Sequence, residues 1–214
     1  MLIGIINKST IVSDDDCKKL VSAIDYQMHN HVSPGWGKLP CKVYFVSKSS
    51  FVPGSSNIVL VDNIDDPNAE GYHTENIDGK FVGNVGIRAI PGNVLTGPDS
   101  VSSVVSHEVI ELYLDPAINL WADANDGYSY PYEGCDAVQE SFYVVNGVSV
   151  SNFVLPNWFD NYATSHFDKM GKLSAPFTLA SGGYTVRRKQ GTGETQIFGK
   201  RPEWKNSIRS CKRV

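Results

Sequence analysis

The stretch SVVSHEVIELYLDP, residues 103–116, decides how the rest of the chain is interpreted. Asp99 or Ser100 is placed to cap a helix here, and Asp115-Pro116 is placed to end it. Its apolar stripe consists of Val101, Val104, Val105 and Leu112. The pattern therefore predicts a largely apolar helix that nevertheless carries charged side chains.

Three polar side chains of this helix, those of His107, Glu108 and Glu111, predict a metal site. His107 and Glu111 are four residues apart, so an imidazole and a carboxylate lie on one helix face and can reach the same ion. Glu108 lies about 100° round the helix, where it can hold a water molecule bound to that ion. A carboxylate in an apolar setting costs several kcal/mol unless it is paired or coordinated. A divalent cation meets this need, and zinc accepts both imidazole nitrogen and carboxylate oxygen.

A third protein ligand is expected, because catalytic zinc sites typically use three and leave one position open. The downstream segment YEGCDAV offers Glu133 and Asp136, which rank equally, with Cys135 behind them and His166 last. The other three histidines, His29, His31 and His73, fall on a helix end and a loop, where single histidines are more often surface residues.

The order strand, helix, three strands, helix, together with SHEVIE, resembles the zincin metallopeptidases, whose active-site helix bears HExxH. The resemblance covers roughly residues 1–140. It implies that His107 is a metal ligand, that Glu108 is the general base, and that Glu111 replaces the second histidine ligand. It also implies that the strand FVGNVGIR, residues 81–88, is the edge strand that pairs with substrate. The substrate-binding residues would then be Val82, Gly83, Asn84, Val85 and Gly86.

The activity that this resemblance implies is hydrolysis of a peptide or protein substrate by a zinc-bound water, with Glu108 taking the proton. The oxyanion would be stabilised by Tyr128, Tyr130, Tyr132 or His166. A glutamate at position 111 lowers the charge of the site by one unit, which predicts a less acidic water and slower hydrolysis. Calcium is the second candidate ion, because oxygen donors would outnumber nitrogen.

The longer pattern SHEVIELYLDP, YEGCDAV and SNFVLPNWFD is also similar to uncharacterised zincin-like proteins of bacteria and their phages. This similarity implies an alternative function as a non-catalytic structural or assembly protein of a phage particle. Its partners would be neighbouring virion subunits.

The fold class predicted for the chain is α+β, with a mixed sheet packed against two helices and an irregular, hairpin-containing C-terminal half. Predicted strands cover residues 2–7, 42–47, 57–63 and 81–88, and an amphipathic helix covers residues 13–32. Residues 65–80 are expected to be a polar connection, and residues 141–155 a hairpin that turns at Asn146-Gly147. We divide the chain into a zincin-like domain, 1–180, and a basic C-terminal arm, 181–214.

Composition and charge narrow the possible partners. Hydrophobic residues make up 41% and charged residues 20% of the chain, which is typical of a globular protein. Residues 187–214 hold 9 of the 19 basic residues and 2 of the 23 acidic ones, although the whole chain has a net charge of −4. This basic arm is expected to contact a neighbouring protein or the acidic body of its own chain. No RNA- or DNA-binding motif accompanies it, which argues against a nucleic-acid partner.

The N-terminus and the cysteines predict the compartment. The apolar run at the N-terminus is short and no basic residue precedes it, so we expect neither a signal peptide nor a membrane anchor. The four cysteines have no CxxC spacing and are expected to be thiols. A cytoplasmic location follows, or a virion if the chain is phage-encoded.

Overall fold

The computed structural model describes residues 1–47, 54–65, 69–75, 80–189 and 191–200. A five-stranded sheet forms the N-terminal half. Its strands are β1 (Leu2–Asn7), β2 (Lys42–Val46), β3 (Ser56–Val61), β4 (Gly71–Glu75) and β5 (Phe81–Gly86). Their order is β2-β1-β3-β5-β4, in which β4 is antiparallel to β5 and the other neighbours are parallel. The predicted α+β class with a mixed sheet is confirmed.

The first long helix, α1 (Asp14–Gln27), begins at Ser13, whose hydroxyl accepts from the backbone N–H of Asp16. Three aspartates occupy its first turn, where negative charge favours the positive end of the helix dipole. The chain continues through a π-helical turn, Met28–Val32, into the short helix α2 (Ser33–Gly35). The predicted helix over residues 13–32 is therefore confirmed, with a change of winding at residue 28.

The second long helix, α3 (Val101–Leu114), is the helix predicted from the opening stretch. Ser100 is its cap, because the Ser100 hydroxyl accepts from the N–H of Ser103, and the helix ends at Asp115. All fourteen residues of α3 are buried, which makes it a central core helix rather than a helix with one solvated face. It contacts β3, β4 and β5 and so packs against this side of the sheet.

Two predictions about the sheet are wrong. Residues 71–75 form strand β4 instead of belonging to a polar connection, because this short segment pairs along its whole length with β5. The predicted edge strand, β5, lies inside the sheet between β3 and β4. The backbone groups of residues 82–86 are used in those two pairings, so among the described residues β4 holds the edge position.

The C-terminal half is mostly irregular, as predicted, but it contains two further sheets. Strands β6 (Trp121–Asp123) and β7 (Ser129–Pro131) form one hairpin, and β8 (Phe142–Val145) and β9 (Val148–Ser151) form another. The second hairpin turns at Asn146 and Gly147, both with positive φ, as predicted. Strand β9 contacts both α1 and α3 and closes the core over them.

The first part of the predicted basic arm also belongs to a sheet. Strands β10 (Tyr184–Arg188) and β11 (Glu194–Phe198) pair with each other, and β10 pairs with β7 at Arg188 and Ser129. Tyr184 is buried in this arrangement. Residues 201–214, the rest of the predicted arm, lie outside the described residues.

Among the residues that the structure describes, no helix has both the length and the apolar character needed to cross a membrane.

Candidate metal centre

Helix α3 brings a histidine and a glutamate together inside the protein, as their spacing predicts. The Nε2 atom of His107 lies 3.0 Å from Oε2 of Glu111 and 3.3 Å from Oδ1 of Asp136. The side chains of all three residues are at most 3% exposed. The loop after β7 thus supplies a second carboxylate to the same imidazole nitrogen.

Two contacts hold this loop against α3. The backbone N–H of Cys135 donates to Oε1 of Glu111 over 3.1 Å. Gly134 lets the loop approach, because a Cβ there would meet Leu114 Cδ1 at 2.5 Å. Asp136 then opens a short 3-10 helix, Asp136–Val138, that starts directly beside the centre. Glu133 is also buried, at 3% exposure, so both predicted loop carboxylates enter the interior.

His73 is a candidate metal ligand that the sequence analysis does not include. It lies in the middle of β4 and is fully buried, although a surface position was expected for it. Its Nδ1 atom is 3.7 Å from Oε2 of Glu108, and its Nε2 atom is 3.4 Å from the carbonyl oxygen of Asp115. Burial alternates along β4, since Gly71 and His73 are buried and Tyr72 and Thr74 are less buried, but the sequence GYHTE has no matching apolar alternation that would point to His73.

Gly71 allows β4 to lie close to α3. A Cβ at this position would be 2.7 Å from Oε1 of Glu108, closer than side-chain atoms ever pack. The Glu108 carboxylate is therefore confined between β4 and its own helix, and the residue is only 4% exposed.

Several buried nitrogen and oxygen atoms of this cluster, all of them potential metal ligands, make no hydrogen bond. They are Nδ1 of His107, Oε2 of Glu108, Oε2 of Glu111 and Oδ1 of Asp136. Some of them lie close to an imidazole nitrogen, as the distances above show, but without the alignment of a hydrogen bond. Because a buried carboxylate oxygen without a hydrogen bond is costly, this arrangement fits a group of ligand atoms facing a cation.

Without a cation the cluster holds protons. Burial lowers the pKa of His73, but contact with Glu108 and the charge of Glu133 outweigh burial and raise that pKa to about 9. Burial also lowers the pKa of His107, but the charge of Glu111 outweighs burial and raises that pKa well above the ordinary value. Metal ligands must be deprotonated, so an ion has to displace these protons.

The pKa values of the Glu111 carboxyl and the Cys135 thiol are raised as well. Burial raises the pKa of Glu111 to about 8, against the opposing charge of His107. The charges of the neighbouring Asp136 and Glu133 carboxylates contribute to this rise. Burial, and then the charge of Glu111, raise the pKa of the Cys135 thiol well above its ordinary value.

Two overlapping groups of these side chains could hold a metal ion. One group is His107, Glu111 and Cys135, and the other is His73, Glu111 and Glu133. Within each group the ligand atoms lie within 4.8 Å of one another. The groups contain the predicted ligands His107, Glu111 and Glu133 and the lower-ranked candidate Cys135, and they add His73. Asp136 belongs to neither group but lies beside the His107 nitrogen.

Other predicted participants have surroundings different from those expected. The strand that carries Val82–Gly86 is internal to the sheet, and His166 is exposed with its Nδ1 atom beside the Ser165 hydroxyl. Among the three tyrosines proposed for the oxyanion, Tyr130 donates its hydroxyl to Asp126 and Tyr132 stacks on Phe159. These two tyrosines belong to the aromatic core of the C-terminal half.

Comparison with known proteins gives no match: no protein-family model, no curated protein and no solved structure matches the chain. Fold and site together define an α+β protein with a buried group of histidine, carboxylate and thiol side chains able to hold a metal ion.

Proposed function

We propose that the protein is a zincin-like metallopeptidase that holds zinc with His107, Glu111 and Asp136. The observation that carries the proposal is the pair of contacts of 3.0 and 3.3 Å from the His107 nitrogen to two buried carboxylate oxygens. The order of strands and helices around α3 supports the same class, with one strand more than the sequence predicts.

The donor set favours zinc over calcium. Zinc takes imidazole nitrogen and carboxylate oxygen at roughly 2.0–2.2 Å, so two ligands of a tetrahedral zinc ion lie about 3.4 Å apart. The contacts of His107 with Glu111 and Asp136 are of this size. Calcium binds oxygen atoms, usually six to eight of them, and buried imidazoles do not suit it.

Glu108 is the general base in this proposal. When bound, the ion supplies Lewis-acid activation of water and of the peptide carbonyl. Glu108 follows His107 in the chain, and its Oε2 atom has no hydrogen-bond donor, so it can accept a proton from water. It then passes that proton to the leaving amine. The imidazole of His73, 3.7 Å from the carboxylate, and the backbone of Gly71 keep Glu108 in position.

In this proposal the substrate pairs with the edge of strand β4 instead of with β5. Among the described residues it ends the sheet on the side next to α3, and its inward face touches Glu108. An extended peptide that pairs with the outer edge of β4 would add a strand to the sheet. The substrate-binding segment is then residues 71–75 rather than residues 82–86.

A second candidate function is a non-catalytic protein that keeps the ion for stability, as in a structural or assembly protein of a phage particle. The burial of the centre favours it, because Glu108 is only 4% exposed and Glu111 is fully buried. Its partners would be neighbouring virion subunits. Arg187 and Arg188, two of the basic residues offered for docking, lie over the rings of Tyr128 and Trp121 of their own chain.

Metal analysis and peptide cleavage distinguish the two candidates. We expect the purified full chain to contain zinc and to cleave casein or a peptide library. His107→Ala and Glu111→Ala should lose the metal. Glu108→Gln should keep the metal and lose cleavage, whereas the exposed control Glu194→Gln should keep both.

The two candidate functions predict different results in these measurements. Zinc without cleavage in the unaltered chain would support the structural candidate and contradict the peptidase. Cleavage that survives in Glu108→Gln would contradict the assigned base. A chain that binds no divalent ion at all would contradict both functions.

A further inference from the structure

The two groups of potential ligands share one residue, Glu111. Besides Glu111, one group contains His107 and Cys135, and the other contains His73 and Glu133. Each group has a histidine of its own, from α3 in one case and from β4 in the other. A single ion does not need two such groups, and a carboxylate with two oxygens can face both.

The carboxylate of Glu111 is placed for a bridging role. Its Oε2 atom faces the His107 nitrogen at 3.0 Å, while its Oε1 atom accepts from the N–H of Cys135 and has a second lone pair. An imidazole at this position would offer one nitrogen to the cluster and could bind a single ion there. A glutamate in place of histidine is therefore the choice that lets one side chain serve two ions.

His73 has the orientation of a metal ligand. Its Nε2 atom faces the carbonyl oxygen of Asp115, which can only accept, so the proton belongs on Nε2 in that contact. When an ion displaces the other proton, the lone pair is left on Nδ1, which lies 3.7 Å from Oε2 of Glu108. A ligating histidine typically donates its other ring N–H to a carbonyl or carboxylate in this way.

Charge balance favours a second ion. Four carboxylates, each at most 4% exposed, surround the two buried imidazoles, and they are Glu108, Glu111, Glu133 and Asp136. Fully ionised, they carry four negative charges, of which one divalent ion neutralises two. Two divalent ions neutralise all four, which removes the penalty of leaving buried charge uncompensated.

We propose that the cluster is a two-ion centre bridged by Glu111, with one divalent transition-metal ion at His107 and Asp136 and a second at His73 and Glu133. This inference rests on the metal centre of the proposed function and adds a second ion to it. Ions that share a carboxylate in this way lie roughly 3.5–4 Å apart. Imidazole and carboxylate together suit zinc and manganese, the two ions used in the test.

The test is a count of bound ions. The full chain is stripped with a chelator, loaded with zinc alone, and passed through gel filtration before elemental analysis. We expect about two zinc ions per chain, and about one after His73→Ala. The exposed residue His29 provides a matched control, since His29→Ala should still bind two.

A spectroscopic measurement on the unaltered chain keeps the test independent of how the variants fold. Manganese loaded to saturation should give the electron paramagnetic resonance spectrum of a spin-coupled pair. One zinc ion per chain, or an uncoupled six-line manganese spectrum at saturation, would overturn the two-ion centre and leave the proposed function standing. No bound ion of either kind would overturn both.

Discussion

The two long helices hold their acidic residues in opposite ways. On α1 the first-turn aspartates face water, and Asp15 pairs with Lys18 at 3.3 Å with its side chain 84% exposed. On α3 the carboxylate of Glu111 pairs with His107 at 3.0 Å with its side chain 1% exposed. Both helices are fourteen residues long and both pairs lie within one helical turn, so burial is the difference between them.

The difference in burial determines how much each charged pair contributes to the stability of the fold. A solvated pair such as that of Lys18 contributes little, because water already solvates both charges. A buried pair has lost that solvation and needs further compensation. The acidic side chains of α3 lie near two imidazoles that are also buried, which is the arrangement expected around a cation.

The largest effect is expected from removal of the buried imidazole. His107→Ala leaves Glu111 and Asp136 without their shared partner and removes an ion ligand. We expect the free energy of unfolding to fall by about 3–5 kcal/mol, measured by urea denaturation, together with loss of bound zinc. An unchanged stability would mean that these acids are not energetically tied to the imidazole.

A second effect concerns pH in the metal-free protein. The pKa of His73 is raised to about 9 and that of Glu111 to about 8, so the folded state binds more protons than the unfolded chain. The stability from His73 is complete below pH 6.5 and is lost as the pH rises through 9. For Glu111 the loss runs from about pH 4.5 through 8.

Thermal unfolding of the chelated protein at pH 6 and pH 9 tests this prediction. The midpoint should be lower at pH 9. Zinc should reverse the trend, because its ligands must be deprotonated and it binds more tightly as the pH rises. A midpoint of the chelated protein that rises from pH 6 to pH 9 would contradict the cluster's raised pKa values.

A smaller effect is expected where β4 touches α3. Gly71→Ala adds a methyl group at the position of the Glu108 carboxylate, which must shift. We expect a loss of about 1–3 kcal/mol of stability, typical of overpacking, and a fall in peptide cleavage greater than the fall in bound zinc. The control is Gly193→Ala, where an added Cβ meets nothing within 4 Å.

The smallest effect is expected on α1. Lys19 contacts Asp16 at 2.9 Å, and its side chain is 61% exposed. Lys19→Ala should lower the free energy of unfolding by about 0.5 kcal/mol or less, with bound zinc unchanged. A loss as large as that of His107→Ala would remove the contrast between the two helices.

The successes and failures of the sequence analysis follow from how local each feature is. The helix cap at Asp99 or Ser100, the helix end at Asp115-Pro116 and the hairpin turn at Asn146-Gly147 depend on neighbouring residues. All three are confirmed, with Ser100 as the cap. Strand β4 was missed because it is short and lies among polar residues. Its strand character comes from pairing with β5, which no local pattern records.

The sequence by itself determined that His107, Glu108 and Glu111 share one helix at set angles, because α-helical hydrogen bonding repeats every 3.6 residues. It also pointed to the loop carboxylates Glu133 and Asp136. Only the tertiary structure decided that all of these are buried together and that His73 joins them. Such proximity depends on how distant segments pack, and the β4 pairing and the close approach at Gly71 bring the second imidazole to the acids.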